Sequence, residues 1–469
     1  MNCMKKLHIL LSGALIFVLL GMNSCEKWID TDINIDPNEP DDVSLALLLP
    51  GAQSGIAYVY GGDHTRFTTL WMQQLAGIDR QMFDMGRYQV READANNLWN
   101  TLYSDVLMNL QIMMDKAEDA GAEHYAGISK VLTAHTLGLI TQVWGDAPYS
   151  DAFKGQQGQL ASQYDSQEVL YATIQRLLDE AIVHFGNSNQ VGAPVPTATS
   201  DLIYGGQVAR WNSAAKSLKL RYALHLSKRN TYTPVKAILD QGGFISSNAA
   251  DFKFTFGSSG NEWNPRYQFD LERTDIRAGK VIVDMMVATN DPRMPVYFNR
   301  GTAANYVGVP AGASGTAASA MIGPGFSAPG APVDFITFAE VKFIEAEVLF
   351  ATGNAEGAAS AYNAGVKASL AKHGVSNPAW EATYAAETLS TISLQKIIEA
   401  KYVANYINSE VYVDYRRVGY PVIPAPINPS ISQMPRRFLY PIDERRYNGD
   451  NVPKDVTETT RFWWDVAVQ

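Results

Sequence analysis

Apolar residues along this chain recur mostly at steps of three and four, the spacing of helices that bury one side or two. In residues 394–421, Ile397, Ala400, Ala404, Ile407 and Val411 form one stripe, and Ile398, Tyr402 and Tyr406 form a second beside it. That pattern predicts a single helix packed between neighbours. Gly419 and Pro421 are its stop signals, and Arg416 and Arg417 fall in its last turns, where cations suit the helix dipole. An arginine pair there invites an anion site, but pairing with Glu410 or Asp414 about one turn back is the simpler expectation.

The same period predicts helices in pairs. Residues 98–119 and 125–143 form one pair joined through Gly121, with Trp144-Gly145-Asp146-Ala147-Pro148 ending the second helix. Residues 166–185, with Ser166 near the cap, precede 209–228, where Trp211, Ala215, Leu218 and Tyr222 share a face. A third pair opens on the capping pattern Thr337 to Glu340, turns at Gly353-Asn354 and continues over 355–372. Its small residues Ala358, Ala361 and Gly365 allow close helix contact. The fold class is therefore mainly α, built from tetratricopeptide-like helical hairpins without a strict repeat. A loop-rich insert over about 243–333 interrupts them, with one alternating run at 252–256, a turn-rich stretch at 257–267 and a Gly- and Ala-rich stretch at 301–332. Such long irregular segments usually carry function.

The start of the chain changes this picture. Lys5 and Lys6 precede an uncharged apolar run over 9–20 and then small or polar residues to Ser24, the plan of a secretion signal over 1–24. The run is shorter than the roughly 20 residues that span a bilayer. The only cysteines are Cys3, which would leave with the signal, and Cys25, so no disulfide framework forms. Residues 25–43 read as an acidic tether and 44–469 as one helical domain. Within the tether Asp30, Asp32, Asn34 and Asp36 fall on calcium-loop spacing. Ile35 stands where that loop needs glycine and Asp41 replaces its glutamate, so a solvated leader is the competing reading.

Composition and charge exclude several function classes. A chain of 469 residues with 46% hydrophobic residues and 18% charged residues is long enough for one large core or several smaller ones. Its formal charge of −10 falls to −12 without Lys5 and Lys6, which argues against nucleic acid as a partner. The seven histidines are scattered without metal-ligand spacing, and no Walker loop or GxSxG motif is present. The stretch 323–328 imitates a nucleotide-binding glycine loop, but Pro324 falls within it and Pro329 follows it. Glu345 and Glu347 lie two apart on a helix and point to different sides, which suits salt bridges better than glycosidase chemistry. No cofactor is expected.

Aromatic residues are the positive signal. Tyr58, Tyr60, Trp71, Phe83, Tyr88, Trp99, Trp263, Tyr267 and Tyr306 fall in loops or near helix starts. An aromatic ring packs against the apolar face of a sugar while polar side chains bond its hydroxyls. Trp71, Tyr88, Trp263, Tyr267 and Tyr306, with Arg266, are the candidate ligand residues, set against ordinary core packing for each.

Several short motifs in order carry a family resemblance: Asn34-Ile35-Asp36-Pro37-Asn38; Trp99-Asn100-Thr101-Leu102-Tyr103; Trp144-Gly145-Asp146-Ala147-Pro148-Tyr149; Asp291-Pro292-Arg293; Phe338-Ala339-Glu340; Arg416-Arg417-Val418-Gly419-Tyr420-Pro421; and Pro435-Arg436-Arg437-Phe438-Leu439-Tyr440-Pro441. With them the chain resembles the SusD-like (SusD/RagB) outer-membrane nutrient-binding lipoproteins. Cys25, after Gly21-Met22-Asn23-Ser24, resembles their acylation cysteine, although Met22 and Asn23 depart from the usual box. The resemblance implies a helical-hairpin fold, no enzymatic activity and a lipid anchor in the outer membrane facing the cell exterior. It also implies a partner, a SusC-like TonB-dependent transporter, and capture of an oligosaccharide for import. The alternatives are a peptide-binding lipoprotein of the same import system and a glycoside hydrolase.

Overall fold

The computed structural model describes residues 43–466. The expected signal, Cys25 and the candidate calcium residues Asp30, Asp32, Asn34 and Asp36 lie outside the described residues. Helix α1 (Leu45–Val59) turns Leu45, Leu48, Leu49, Ala52 and Ile56 inward at steps of three and four. It runs into a π-helical turn, Tyr60–His64, where Gly62 leaves helical geometry at φ −97° and ψ −120°. A Cβ on the neighbouring Gly61 would lie 2.7 Å from Val333 and 3.1 Å from Pro265, so glycine lets the turn approach two distant segments.

The helix expected over 98–119 is interrupted by a second π-helical turn, Thr101–Leu107, before α2 (Met108–Asp119). Helix α3 (Glu123–Trp144) follows, and every residue from Tyr125 to Trp144 is buried. Enclosure on all sides makes α3 the centre of the first hairpins, packed against α2, α4 (Gln167–Gly186) and α5 (Val208–His225). Its polar residues find partners inside: Lys130 pairs with Glu118 at 2.8 Å and Glu180 at 2.9 Å, and the Gln142 amide donates to Ser409 Oγ at 3.2 Å. Ser166 caps α4 as expected, accepting from the Val169 N–H.

Among the described residues, three two-stranded antiparallel pairs join segments that lie between Leu75 and Ile336. They join β1 (Leu75–Gly77), β2 (Phe252–Thr255), β3 (Ile276–Ala278), β4 (Phe298–Asn299), β5 (Met321–Ile322) and β6 (Pro332–Ile336) as β1 with β3, β2 with β6 and β4 with β5. The strand-like run at 252–256 is thus β2, in register Phe252 to Ile336 with a bulge before Lys253. Helix α6 (Pro265–Arg273) lies between β2 and β3, with Asn264 as its cap and Pro265 in its first turn.

The third hairpin forms as expected, from α7 (Phe338–Ala351), capped by Thr337, and α8 (Ala355–Lys372). A Cβ on Gly365 would sit 3.1 Å from the Phe343 ring, which is why a small residue stands there. A short helix α9 (Pro378–Tyr384) follows. The single helix expected over 394–421 is instead two, α10 (Leu394–Ala404) and α11 (Glu410–Val418). Gln74, far away in sequence, supplies the reason. Its amide donates to the Tyr402 carbonyl at 2.8 Å and accepts the Ile407 N–H at 2.7 Å, replacing helical bonds across the break. Ile407 turns to φ +54°, and Asn408 Oδ1 then accepts the Glu410 N–H at 3.0 Å and the Tyr60 hydroxyl at 2.7 Å. The predicted stop is kept: Gly419 adopts the left-handed region at φ +82°.

Buried charges tie α5, α7, α10 and α11 together. Arg221 holds Glu340 through two bonds of 2.6 and 2.7 Å, His225 bonds Glu410 at 2.9 Å, and Lys401 bonds Asp414 at 2.8 Å. Arg417 meets Asp414 at 2.8 Å, the partner expected one turn back, and Glu347 at 2.7 Å. Glu345 pairs with Lys342 at 2.7 Å, so Glu345 and Glu347 both serve salt bridges, as does Glu340 on the same helix. Arg416 does not pair with an acid on its own helix. It lies 3.7 Å above the Tyr412 ring and donates to the carbonyls of Tyr412 and Arg436.

Candidate functional site

Two hollows of about 280 and 690 Å³ share Tyr58, Thr101 and Gln268 and form one cleft. Each wall has a local cause. Tyr58 reaches the cleft from the last turn of α1, just before the π-helical turn, and remains 56% exposed. Thr101 opens the second π-helical turn, a geometry that often marks functional sites. Phe256 follows β2, and Trp263 stands just before the cap of α6. Gln268 and Phe269 come from α6 itself.

The aromatic side chains are held in place. The Trp263 indole N–H donates to the Ser258 carbonyl at 2.9 Å, and its ring meets Tyr267 edge to face at 5.4 Å. Phe256 packs on Phe254 at 5.0 Å. The Arg66 guanidinium lies 3.8 Å from the centre of the Phe269 ring and bonds Asp63 at 3.1 Å. Asp63, Asp105, Glu262 and Glu272 line the cleft against the single cation Arg66, so its charge is net acidic. Asp270, whose pKa burial raises, is not part of this lining and accepts from the Ser327 hydroxyl at 2.6 Å. The result is a half-apolar groove with fixed rings and several hydrogen-bonding side chains, a shape suited to a polyhydroxylated ligand.

The six candidate ligand residues do not converge. Trp263 lines the cleft, and Tyr267 backs it through the edge contact. Arg266 points elsewhere: it is 7% exposed, donates to the Phe326 carbonyl at 3.0 Å, and is lowered to about 10 by burial. Trp71 is fully buried against Tyr412 and Phe438, with its indole N–H on the Met85 carbonyl at 3.1 Å. Tyr88 is 4% exposed, and burial raises its pKa. Tyr306 lies apart, beside Phe298 and Arg300. The exposure expected of Trp71 and Tyr88 is thus corrected: Tyr412 of α11 and Phe438, both far along the chain, enclose the Trp71 ring, and Tyr88 is buried as well. Phe256, Phe269 and the pair Asp63 and Arg66 were not among the candidates; the neighbouring Gly61-Gly62, a break beside an aromatic helix end, is the signal that marks this wall. Among the described residues no group of three His, Cys, Asp or Glu is placed to hold a metal ion.

Comparison with known proteins accords with this architecture. A SusD/RagB family protein from Bacteroides thetaiotaomicron superposes with a TM-score of 0.76 at 22% identity, covering 91% of this chain and 100% of that chain. A chitin-binding SusD homolog from Flavobacterium johnsoniae superposes with a TM-score of 0.75 at 22% identity, covering 89% of this chain and 99% of that chain. A SusD homolog from Bacteroides uniformis gives 0.75 at 22% identity, covering 91% and 100%. At such identities the likeness speaks for the fold. A comparison with curated proteins finds no match. The SusD-like family model, described as starch-binding associating with outer membrane, matches residues 37–441, from Pro37 in the first of the seven motifs to Pro441 in the last. Helical hairpins, motif order and this match agree, and the chain belongs to the SusD-like family.

Proposed function

We propose that this protein is a non-catalytic lipoprotein of the cell surface, anchored through Cys25, that captures oligosaccharide in the cleft between Tyr58 and Trp263 and delivers it to a SusC-like TonB-dependent transporter. The observation that carries the reading is the cleft itself: Tyr58, Phe256 and Trp263 border one hollow together with hydrogen-bonding side chains. The family description and the chitin-binding relative support a glycan as the ligand class. Of the acids near the cleft, Asp63 is committed to Arg66, and Asp270, a carboxyl whose pKa burial raises, lies outside the lining and is held by Ser327. Asp105, Glu262 and Glu272 stay in the lining, and long incubation with the ligand tests them for turnover. A hydrolase needs two carboxyls facing one bond, one of them kept protonated.

A glycan and peptide array identifies the ligand, and titration of the strongest hit tests the site. Binding weakened in a Tyr58→Ala and Trp263→Ala double variant, with the ligand recovered intact after long incubation, supports the reading. Shortened products, or binding indifferent to both substitutions, overturns it.

A further inference from the structure

A second hollow, of about 320 Å³, lies among α8, α9, α10 and the helix Lys280–Ala288, and shares no residue with the cleft. Its aromatic wall is one turn of α9. Trp380 and Tyr384, four residues apart on the same helical face, stand with ring centroids 4.8 Å apart at 33°. The wall is rigid: the Trp380 indole N–H donates to the Thr289 carbonyl at 3.0 Å, and the Arg293 guanidinium lies 5.8 Å from its ring centre. Arg293 is itself held by Asp291 and by Ser369 Oγ at 2.8 Å, so it serves as scaffold. Val366, Ala400 and Val403 supply apolar lining.

Polar groups complete the hollow. Glu399 engages one oxygen with Gln395 at 2.8 Å, and its other oxygen has no hydrogen-bond partner among the described residues. Lys396 and Glu387 neutralise one another at 2.8 Å. The Tyr384 hydroxyl also has no hydrogen-bond partner among the described residues, and the Tyr362 hydroxyl, pushed up to about 12 by burial, stays a donor at neutral pH. Nothing here offers an unpaired cation to an anionic ligand. Two fixed rings, an apolar lining and neutral or acidic hydrogen-bonding groups match a ring that has an apolar C–H face and hydroxyls on its edge.

We propose that this hollow is a second saccharide-binding site, taking one or two neutral sugar rings against Trp380 and Tyr384, separate from the cleft at Trp263. It would give the protein two points of attachment on one glycan chain or on neighbouring chains, which raises retention without a tighter single site.

The test uses the mature full-length protein labelled with 5-fluorotryptophan, its fluorine resonances assigned through Trp380→Phe and Trp263→Phe. Maltohexaose and chitohexaose are the probes. With one of them the Trp380 resonance moves to saturation, and Tyr384→Ala weakens that response by roughly five- to tenfold while the Trp263 response is unchanged. Glu399→Gln, which keeps the shape, weakens the Trp380 response alone. Movement of Trp263 without movement of Trp380 overturns the second site and leaves the cleft standing. Movement of Trp380 without Trp263 does the reverse. If neither resonance moves with either probe, both assignments are rejected for neutral glycans. A Trp380 response lost together with the Trp263 response in Tyr58→Ala also overturns the proposal, since it would report a single site.

Discussion

Two tryptophans that look alike in the sequence have opposite consequences when removed. Trp263 lines the cleft and donates its indole N–H to a local carbonyl, so Trp263→Ala removes a ring face with little core behind it. An aromatic contact contributes about 0.5–1.5 kcal/mol beyond the area it buries. The expected result is glycan binding weakened up to about tenfold with an unchanged thermal unfolding curve. Trp71, fully enclosed between Tyr412 and Phe438, is the contrast. Trp71→Ala leaves a cavity and removes the indole bond to the Met85 carbonyl, and stability falls by about 3–5 kcal/mol in denaturant unfolding. Equal effects of the two substitutions on unfolding would contradict this division. Trp263 was legible because turn-forming residues surround it, whereas nothing near Trp71 in the chain announces the aromatic residues 341 and 367 positions later that cover it.

The helical hairpins depend on close approach at a few positions. Gly138 in α3 faces α5, and a Cβ there would lie 2.1 Å from the Tyr222 hydroxyl. That hydroxyl is buried and bonded to His135 Nδ1 at 3.2 Å, so it has nowhere to move. Gly138→Ala gains about 1 kcal/mol of helix propensity but forces the two helices apart, at a cost of about 1–3 kcal/mol or more. Net loss of stability is expected from thermal melts, because the Tyr222 ring carbons would also lie within 2.5 Å of the added Cβ, and a stabilised single variant would refute the packing argument. Helix existence and caps such as Ser166 and Thr337 were legible because they are local. The break between α10 and α11 was not. The apolar stripes run straight through residues 405–409, and the amide of the distant Gln74, with Asn408 beyond it, makes an interruption favourable there.

Buried histidines make the folded protein sensitive to acid. Burial lowers His64 to about 4, His135 to about 3 and His373 to about 4, against an ordinary value near 6.5. The unfolded chain takes up these protons as pH falls below about 6.5, while the folded chain resists until pH 3–4. Stability is therefore full above pH 6.5 and declines through the interval down to about pH 3. For Glu410, burial alone would raise the pKa, but His225, Arg221 and Lys401 hold it below its usual range. Its contribution is likewise lost only at low pH. Thermal unfolding followed from pH 7.5 to 4 should show a falling Tm, with a shallower fall in His135→Gln; equal slopes in the two proteins would remove His135 from the account. In the proposed function, attachment to the membrane rests on Cys25. Cys25→Ala is expected to move the protein into soluble fractions and abolish incorporation of labelled fatty acid, and membrane partitioning that persists would refute the anchor.

What the sequence determined by itself is what short-range physics encodes. Helical period, capping residues, the turn chemistry around Trp263 and the ordered motifs of a SusD-like chain are properties of neighbouring residues, and they predicted a mainly helical fold of hairpins. The tertiary structure alone decided which rings meet a ligand-sized hollow. Tyr58, Thr101, Phe256 and Trp263 come from four segments spread over two hundred residues, brought together by two π-helical turns, a β2–β6 pair and the cap of α6. Burial is a property of the assembled core, so Trp71, Tyr88 and Arg266 read as candidates along the chain and are enclosed in the folded protein, Trp71 by Tyr412 and Phe438 and Arg266 beside the Phe326 carbonyl.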